Sequence, residues 1–347
     1  MIDKGGQVKK IINRPEQFVS EFLEGILLAH PRAYKRVGGA GHGLIRADAP
    51  SPGRVGIVTG GGSGHLPLFL GYVGMGLCSG VAIGNVFSSP SAESVLEVTR
   101  AVNGGAGVLY LYGNYGGDVM NFDEAAEMAA EEGIEVETVL MTDDVASAPR
   151  ERASDRRGIA GMVFAFKCAG AAAEQGASLA QVTEVARSVT SVTATMGVGL
   201  APTILPEAGR PTFVLGDGEM EIGIGIHGEP GTARGQLLPA DQIAAELLGA
   251  VLEDLKIKEG EEVALMVNGL GATPLEELYV LCRKAHTIMG GRSIGIGRSF
   301  VGELATSLEM AGASISVMAL DAELSRLLDA PAFSPFFSVC GSEAVLA

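Results

Sequence analysis

Apolar residues recur along this chain with two different spacings, and the spacing changes from segment to segment. Between Pro15 and Leu28 they fall at Phe18, Phe22, Leu23, Ile26 and Leu27, which is the period of a helix. Ala40 to Gly53 follows neither period and reads as a loop or irregular hairpin. From Arg54 onward, short apolar runs alternate with helical stretches. Arg54–Thr59, Gly80–Gly84, Gly107–Tyr112 and Glu135–Met141 read as strands. Ser89 is placed to cap a helix with Pro90 at its first position, and that helix runs to about Val102. A second helix begins near Asn121, where Asn121 and Glu124 have capping-box spacing, and Gly133 closes it. The Ala-rich stretch Ile159–Ala186 predicts one or two helices.

A second unit starts near Ser191. In Glu219–His227 the residues alternate strictly: Met220, Ile222, Ile224 and Ile226 face one side, and Glu221, Gly223, Gly225 and His227 the other. Glu262–Asn268 is a further strand, followed by a helix start with Thr273 as cap, Pro274 in the first turn and Glu276 completing a capping box. Strands near Ser293–Gly297 and Ala313–Leu320 follow, and no repeat or low-complexity tract interrupts the pattern. The elements predict an α/β protein of two domains, each an open, mostly parallel or mixed sheet flanked by helices. Residues 1–190 carry the glycine-rich loop and Asp118. Residues 191–347 carry His227, and the last of them are expected to pack back on the first domain.

Composition narrows the function classes. A length of 347 residues suits two domains, and 47% hydrophobic against 19% charged residues is enough apolar material for real cores. The 50 glycines have no triplet period, so a collagen-like chain is excluded. A net charge of −16 repels phosphate backbones and anionic lipid, so no nucleic acid and no membrane partner is expected. Arg150, Arg152, Arg156 and Arg157 form the one dense basic cluster, read either as a solvated loop or as a docking site for an acidic partner or phosphate. Cys78, Cys168, Cys282 and Cys340 are widely spaced and support neither a zinc site nor a disulfide framework. The first residues lack the apolar core of a signal peptide, and no apolar run reaches membrane-spanning length, so a cytoplasmic location is expected.

Chemistry concentrates at three places. Gly60–Gly64 permits close backbone approach to a ligand. It lacks the third glycine of a dinucleotide fingerprint and the Gly-Lys-Ser/Thr of a phosphate loop, which counts against a dinucleotide-dependent enzyme. Its expected role is to present His65 at a helix start with Pro67 just inside; the alternative is a structural turn. Asp118 closes a loop of three glycines and reads as a helix cap or as a general base on a hydroxyl, with Asp143 and Asp144 as competitors. His227 ends a strand face that Gly223 and Gly225 leave empty, which suggests an imidazole projecting into a pocket, or else a solvent-facing edge. The other histidines, His30, His42 and His286, read as structural. No two histidines have metal-ligand spacing, so no metal is expected, and Ser63 lies outside a nucleophile elbow.

Taken together, Lys9-Lys-Ile-Ile-Asn13 through Glu24, Gly60-Gly-Gly-Ser-Gly-His65, Asn114-Tyr-Gly-Gly-Asp118-Val-Met-Asn-Phe122, Asp143-Asp-Val145, Arg156-Arg-Gly158, Glu219-Met-Glu221, Gly225-Ile-His227-Gly-Glu-Pro-Gly231 and Asn268-Gly-Leu-Gly-Ala-Thr-Pro274-Leu resemble the dihydroxyacetone-binding subunit of the dihydroxyacetone kinases, nearly end to end. The resemblance implies a phosphotransferase acting on an alcohol group. His227 would attack the ketone carbon to form a covalent hemiaminal, His65 would hydrogen-bond the substrate and assist proton transfer, and Asp118 would be the base for the hydroxyl. Gly62, Ser63, Gly64 and Gly113 would line the pocket. It further implies a homodimer that binds no cofactor itself. A separate nucleotide-binding subunit would carry Mg²⁺ and ADP or ATP, with ATP or a phosphotransferase-system protein as phosphoryl source. Two departures bear on the substrate: Gly113 and Leu66 stand where well-known dihydroxyacetone-specific members have lysine and glutamate. Loss of a long side chain there would admit a larger ketose such as erythrulose. The alternative is a non-catalytic relative that senses a ketose and activates a transcription regulator.

Overall fold

A computed structural model describes residues 9–38 and 42–340. The opening of the connection expected over Ala40–Gly53, the first eight residues and those from Gly341 onward lie outside the described residues. After a 3₁₀ turn at Pro15–Gln17, α1 (Phe18–Ala29) forms where the helical period places it. Then β1 (Tyr34–Val37) and β2 (Gly43–Arg46) pair antiparallel as a hairpin. Next come β3 (Gly56–Ser63), β4 (Gly80–Val86), α2 (Ala92–Val102), β5 (Val108–Gly113), α3 (Gly116–Glu131) and β6 (Val136–Met141). The first sheet runs β1-β2-β4-β3-β5-β6, with β4, β3, β5 and β6 parallel. The Ala-rich stretch forms two helices, α4 (Met162–Glu174) and α5 (Leu179–Ser191).

The remaining elements are β7 (Thr193–Ala201), β8 (Glu219–Ile222), β9 (Ala233–Gln236), α6 (Ala240–Leu255), β10 (Glu262–Gly269), α7 (Leu275–Gly291), β11 (Gly295–Gly302), β12 (Ala311–Leu320), α8 (Ala322–Asp329), β13 (Ala332–Phe333) and β14 (Ser338–Val339). The second sheet runs β11-β10-β12-β7-β8-β9 and is mixed, with β10 and β11 parallel and the other pairs antiparallel. The molecule is therefore α/β with two helix-flanked sheets, one mostly parallel and one mixed, as its pattern predicts.

Three apolar clusters fill it. One lies between the first sheet and α2 with α3, and a second between the second sheet and α6 with α7. The largest joins the two halves: Leu109 and Leu111 of β5, the length of α4, Met266 and Met318 of the second sheet, and Phe337 and Val339 of the tail share one interior. Every residue of α4 from Met162 to Ala173 is buried, as expected of a helix apolar on all sides. The one charge among these buried residues, Lys167, donates from Nζ to Leu327 O at 2.6 Å near the end of α8, and burial lowers its pKa to about 8.

Several local expectations are corrected. The cap of α2 is Ser91, whose Oγ accepts from Ser94 N, and not Ser89. Helix α3 starts at Gly116, five residues before the expected start, so Asp118 lies in its first turn and not at the end of a loop. Asn121 spends its amide on Pro90 O at 2.7 Å. Thr273 does not cap α7; its hydroxyl donates to Gly312 O and accepts from Gly312 N, tying the helix start to β12. Strand β8 stops at Ile222 because Gly223 takes φ +78°, so His227 follows in a turn and not on a strand.

Candidate active site

Strand β3 continues through the glycines that read as a loop. Gly60, Gly61 and Gly62 pair in parallel with Ala82, Ile83 and Gly84 of β4. A Cβ at Gly62 would lie 2.6 Å from Ser88 N, so only glycine lets the end of β3 pass this close to the backbone after β4. No helix starts at His65; the chain turns there and reaches a 3₁₀ turn only at Leu70–Tyr72. His65 is nonetheless held on all sides. Its ring stacks on Phe87 at 4.8 Å, and Nδ1 donates to Thr306 O at 2.7 Å. Around it, Leu308 N donates to Gly64 O and Thr306 Oγ1 to Leu66 O, so the segment after β11 clasps the end of β3.

His227 meets His65 across the seam between the halves, with Nε2 to Nε2 at 3.1 Å. The His227 ring presents its edge environment to Phe87 and Tyr115, with centroids at 5.0 and 4.9 Å. Its Nδ1 donates to Glu229 Oε1 at 3.0 Å. Both imidazoles thus carry hydrogen on Nδ1, because each Nδ1 faces an oxygen acceptor. The two Nε2 atoms would then meet lone pair to lone pair, and the contact is satisfied only when a proton lies between them. Burial, reinforced by the charge of His227, lowers the His65 pKa to about 3 against the opposing Thr306 carbonyl. Burial alone would raise the Glu229 carboxyl, but its bonds to His227 and the Arg157 charge bring it down to about 2.

Asp118 stands at the mouth of α3, where free N–H groups favour an anion. Burial raises its pKa to about 6, opposed by a hydrogen bond from Ser89 Oγ and by the charge of His227. Gly113, at the end of β5, lies beneath Tyr115: a Cβ there would be 3.2 Å from the Tyr115 ring and 3.0 Å from Gly158 O. Ser63 is 4% exposed, and its hydroxyl finds no partner among the described residues. The structure therefore brings Gly62, Ser63, Gly64, His65, Gly113, Asp118 and His227 to one place, where the parallel strands end.

A family model described as the Dak1 domain matches residues 24–336. The chain belongs to the Dak1 domain family. This Dak1 domain is 42% identical to the PTS-dependent dihydroxyacetone kinase 2, dihydroxyacetone-binding subunit DhaK, of Listeria innocua serovar 6a, covering 96% of this chain and 100% of that one. It is 45% identical to the D-erythrulose kinase of Mycolicibacterium smegmatis over 94% of its length, but spans 56% of that longer protein. Among solved structures it resembles the dihydroxyacetone kinase operon co-activator Dha-DhaQ, with TM-score 0.84, 32% identity, and coverage of 90% of this chain and 96% of that one.

Within the Dak1 domain, the competitors for the base role are structural. Asp143 accepts from Ile159 N and Gly161 N, and Asp144 pairs with Arg157. The basic cluster divides: Arg150 and Arg152 lie on an exposed 3₁₀ segment, as a solvated loop requires, whereas Arg156 is 4% exposed and forks onto Asp254 of α6 at 2.7 and 2.9 Å, where Arg150 also binds. The cleft of about 450 Å³ beside it is lined in part by Arg150, Arg156 and Asp254 and includes neither histidine of the site. The glycines before His227 leave space, but Gly225 leaves it to Glu229 and Arg157. Phe87, Glu229 and Thr306 join the site without being singled out by the sequence, and Ser89, expected as a helix cap, donates to Asp118 instead. Glu229 was legible as the acid two residues from His227. Thr306 had no local signal, because it reaches His65 from 241 positions away.

Proposed function

We propose that this Dak1 domain captures a short ketose as a hemiaminal on His227 and presents its terminal hydroxyl for phosphorylation. The observation that carries the reading is the His65–His227 contact with Glu229 on the far nitrogen, which leaves Nε2 as the one nucleophilic position of His227. In the capture step, His227 Nε2 forms a bond to the ketone carbon. The carbonyl π pair moves to oxygen, which takes the proton that lay between the two Nε2 atoms by way of His65. The imidazolium left on His227 is neutralised by Glu229. Glycerol has no carbonyl and escapes this step. Asp118, ionised above about pH 6, accepts the proton of the hydroxyl that becomes phosphorylated. Ser63 Oγ, buried without a partner among the described residues, is available to a substrate hydroxyl.

The phosphoryl donor belongs to another component. Among the described residues no group of three or more His, Cys, Asp and Glu side chains is placed to hold a metal ion. In this reading Mg²⁺ and ADP or ATP sit on a separate nucleotide-binding subunit, recharged by ATP or by a phosphotransferase-system protein, and the present chain forms the homodimeric substrate-binding core. The absence of a long side chain at Gly113 and of an acid at Leu66 favours a four-carbon ketose such as erythrulose beside dihydroxyacetone, in line with the relative from Mycolicibacterium. A second reading, a ketose-sensing co-activator, has the likeness to Dha-DhaQ behind it; the retained Asp118 with its Ser89 partner favours the kinase.

The test is a panel of short ketoses assayed with the nucleotide-binding subunit and both phosphoryl donors, with intact-mass measurement of the adduct. His227→Ala abolishes the adduct. Asp118→Asn keeps it and lowers turnover by roughly 10²–10⁴-fold. An adduct surviving in His227→Ala, or full turnover in Asp118→Asn, overturns the assignment of that residue. Adduct formation without any phosphorylation by either donor establishes the sensor.

A further inference from the structure

What holds His227 comes from the other half of the molecule. His227 and Glu229 follow β8 of the second sheet, whereas Arg157 lies between β6 and α4. Arg157 is anchored at its own end: Nε and Nη2 lie 2.9 and 2.8 Å from Asp144 Oδ2, its backbone N donates to Ser147 Oγ, and its carbonyl accepts from Asp144 N. Asp144 is buried, at 1% exposure. The remaining guanidinium nitrogen, Nη1, stands 3.7 Å from Glu229 Oε2. That oxygen also accepts from His227 N at 2.9 Å, while Oε1 takes the imidazole Nδ1–H.

The space for this chain of contacts is made by one missing side chain. A Cβ at Gly225 would lie 2.1 Å from Glu229 Oε2 and 2.6 Å from Arg157 Nη1. The glycine therefore accommodates an ion pair behind the histidine. A carboxylate behind an imidazole fixes which ring nitrogen carries hydrogen, and a charge beside that carboxylate fixes the carboxylate in turn. Arg157 is fully committed on its inner side, so it approaches Glu229 from a set direction.

We infer that Arg157 is a positioning residue for capture, reaching across from the first half of the chain to hold Glu229 so that His227 turns Nε2 toward the ketone. The inference rests on the capture reading above. Besides Arg157 and Glu229, the groups facing His227 are His65, Asp118 and the Tyr115 phenol.

The experiment follows the carbonyl carbon of [2-¹³C]dihydroxyacetone by NMR on the full chain across the neutral pH range, which reads the adduct constant and the pH midpoint of capture together. Arg157→Met weakens capture by about tenfold, as for loss of one charge-assisted contact. It also moves the midpoint to higher pH, because His227 keeps its proton longer without the nearby cation. Arg157→Lys restores most of both. Glu229→Gln moves the midpoint the opposite way, since the anion that favours the imidazolium is gone. A merely structural role for Arg157 or Glu229 moves no midpoint. A folded Arg157→Met protein with wild-type constant and midpoint overturns the inference, and an unmoved midpoint in Glu229→Gln overturns it even if Arg157→Met does not fold. No tetrahedral carbon with the wild-type chain overturns the capture reading itself.

Discussion

At the scale of single residues, two buried groups titrate far from their ordinary ranges, with opposite signs. Asp118 is raised to about 6 by burial, and the Ser89 hydroxyl is what restrains it. Ser89→Ala removes the bond that favours the carboxylate, so the acid limb of the turnover profile moves to higher pH, by up to about one unit; a pH–rate profile on both proteins checks this. His65 is lowered to about 3 from 6.5. Between those values the unfolded chain binds a proton there that the folded chain does not, so its contribution to stability is complete above 6.5 and is lost as the pH falls toward 3. Asp118 runs the other way between 3.8 and about 6: its contribution is present at low pH and lost as the pH rises through 6. The histidine window is the wider. His65→Asn should therefore flatten the loss of urea midpoint on the acid side, and an unchanged pH slope would remove His65 as its source.

At the scale of elements, the strands and helices were largely legible because apolar period survives in a single sequence. Their ends were not. The glycine triplet reads as a loop from residue type alone, yet it is the last part of β3, since what glycine supplies there is room for Ser88 and not a turn. Strict alternation over Glu219–His227 does not separate two sides here, for Glu221, Gly223 and Gly225 are buried along with Met220, Ile222, Ile224 and Ile226, and alternation is blind to the positive φ at Gly223 that ends the strand. The segment holding His65 was illegible because its support is remote. Asn268, at the end of β10, donates to Ala305 O at 2.8 Å and accepts from Leu304 N and Ala305 N, shaping the turn that offers Thr306 O to His65. Asn268→Ala leaves those buried groups unpaired and should cost about 2–3 kcal/mol in urea unfolding. It should also weaken ketose capture more than it slows phosphorylation, a split seen by comparing KM with kcat.

At the scale of the whole molecule, the site is a product of how two sheets meet. His65, Asp118 and Arg157 come from one side of the seam, and His227, Glu229 and Thr306 from the other. Arg156 ties the sides together through Asp254, and Arg156→Ala should destabilise the chain by about 3 kcal/mol by leaving a partly buried carboxylate with a weaker partner. A cooperative unfolding midpoint unchanged from wild type would show that the tie is dispensable. Helix α4 makes the same point more strongly. With every side chain from Met162 to Ala173 covered, it belongs to the interior of both halves at once. A sequence boundary near residue 190 is therefore no boundary of the hydrophobic interior. Separating the halves there would turn a central helix into an exposed, adhesive surface, so grafting or exchanging one half between relatives requires that its partner's face for α4 travel with it.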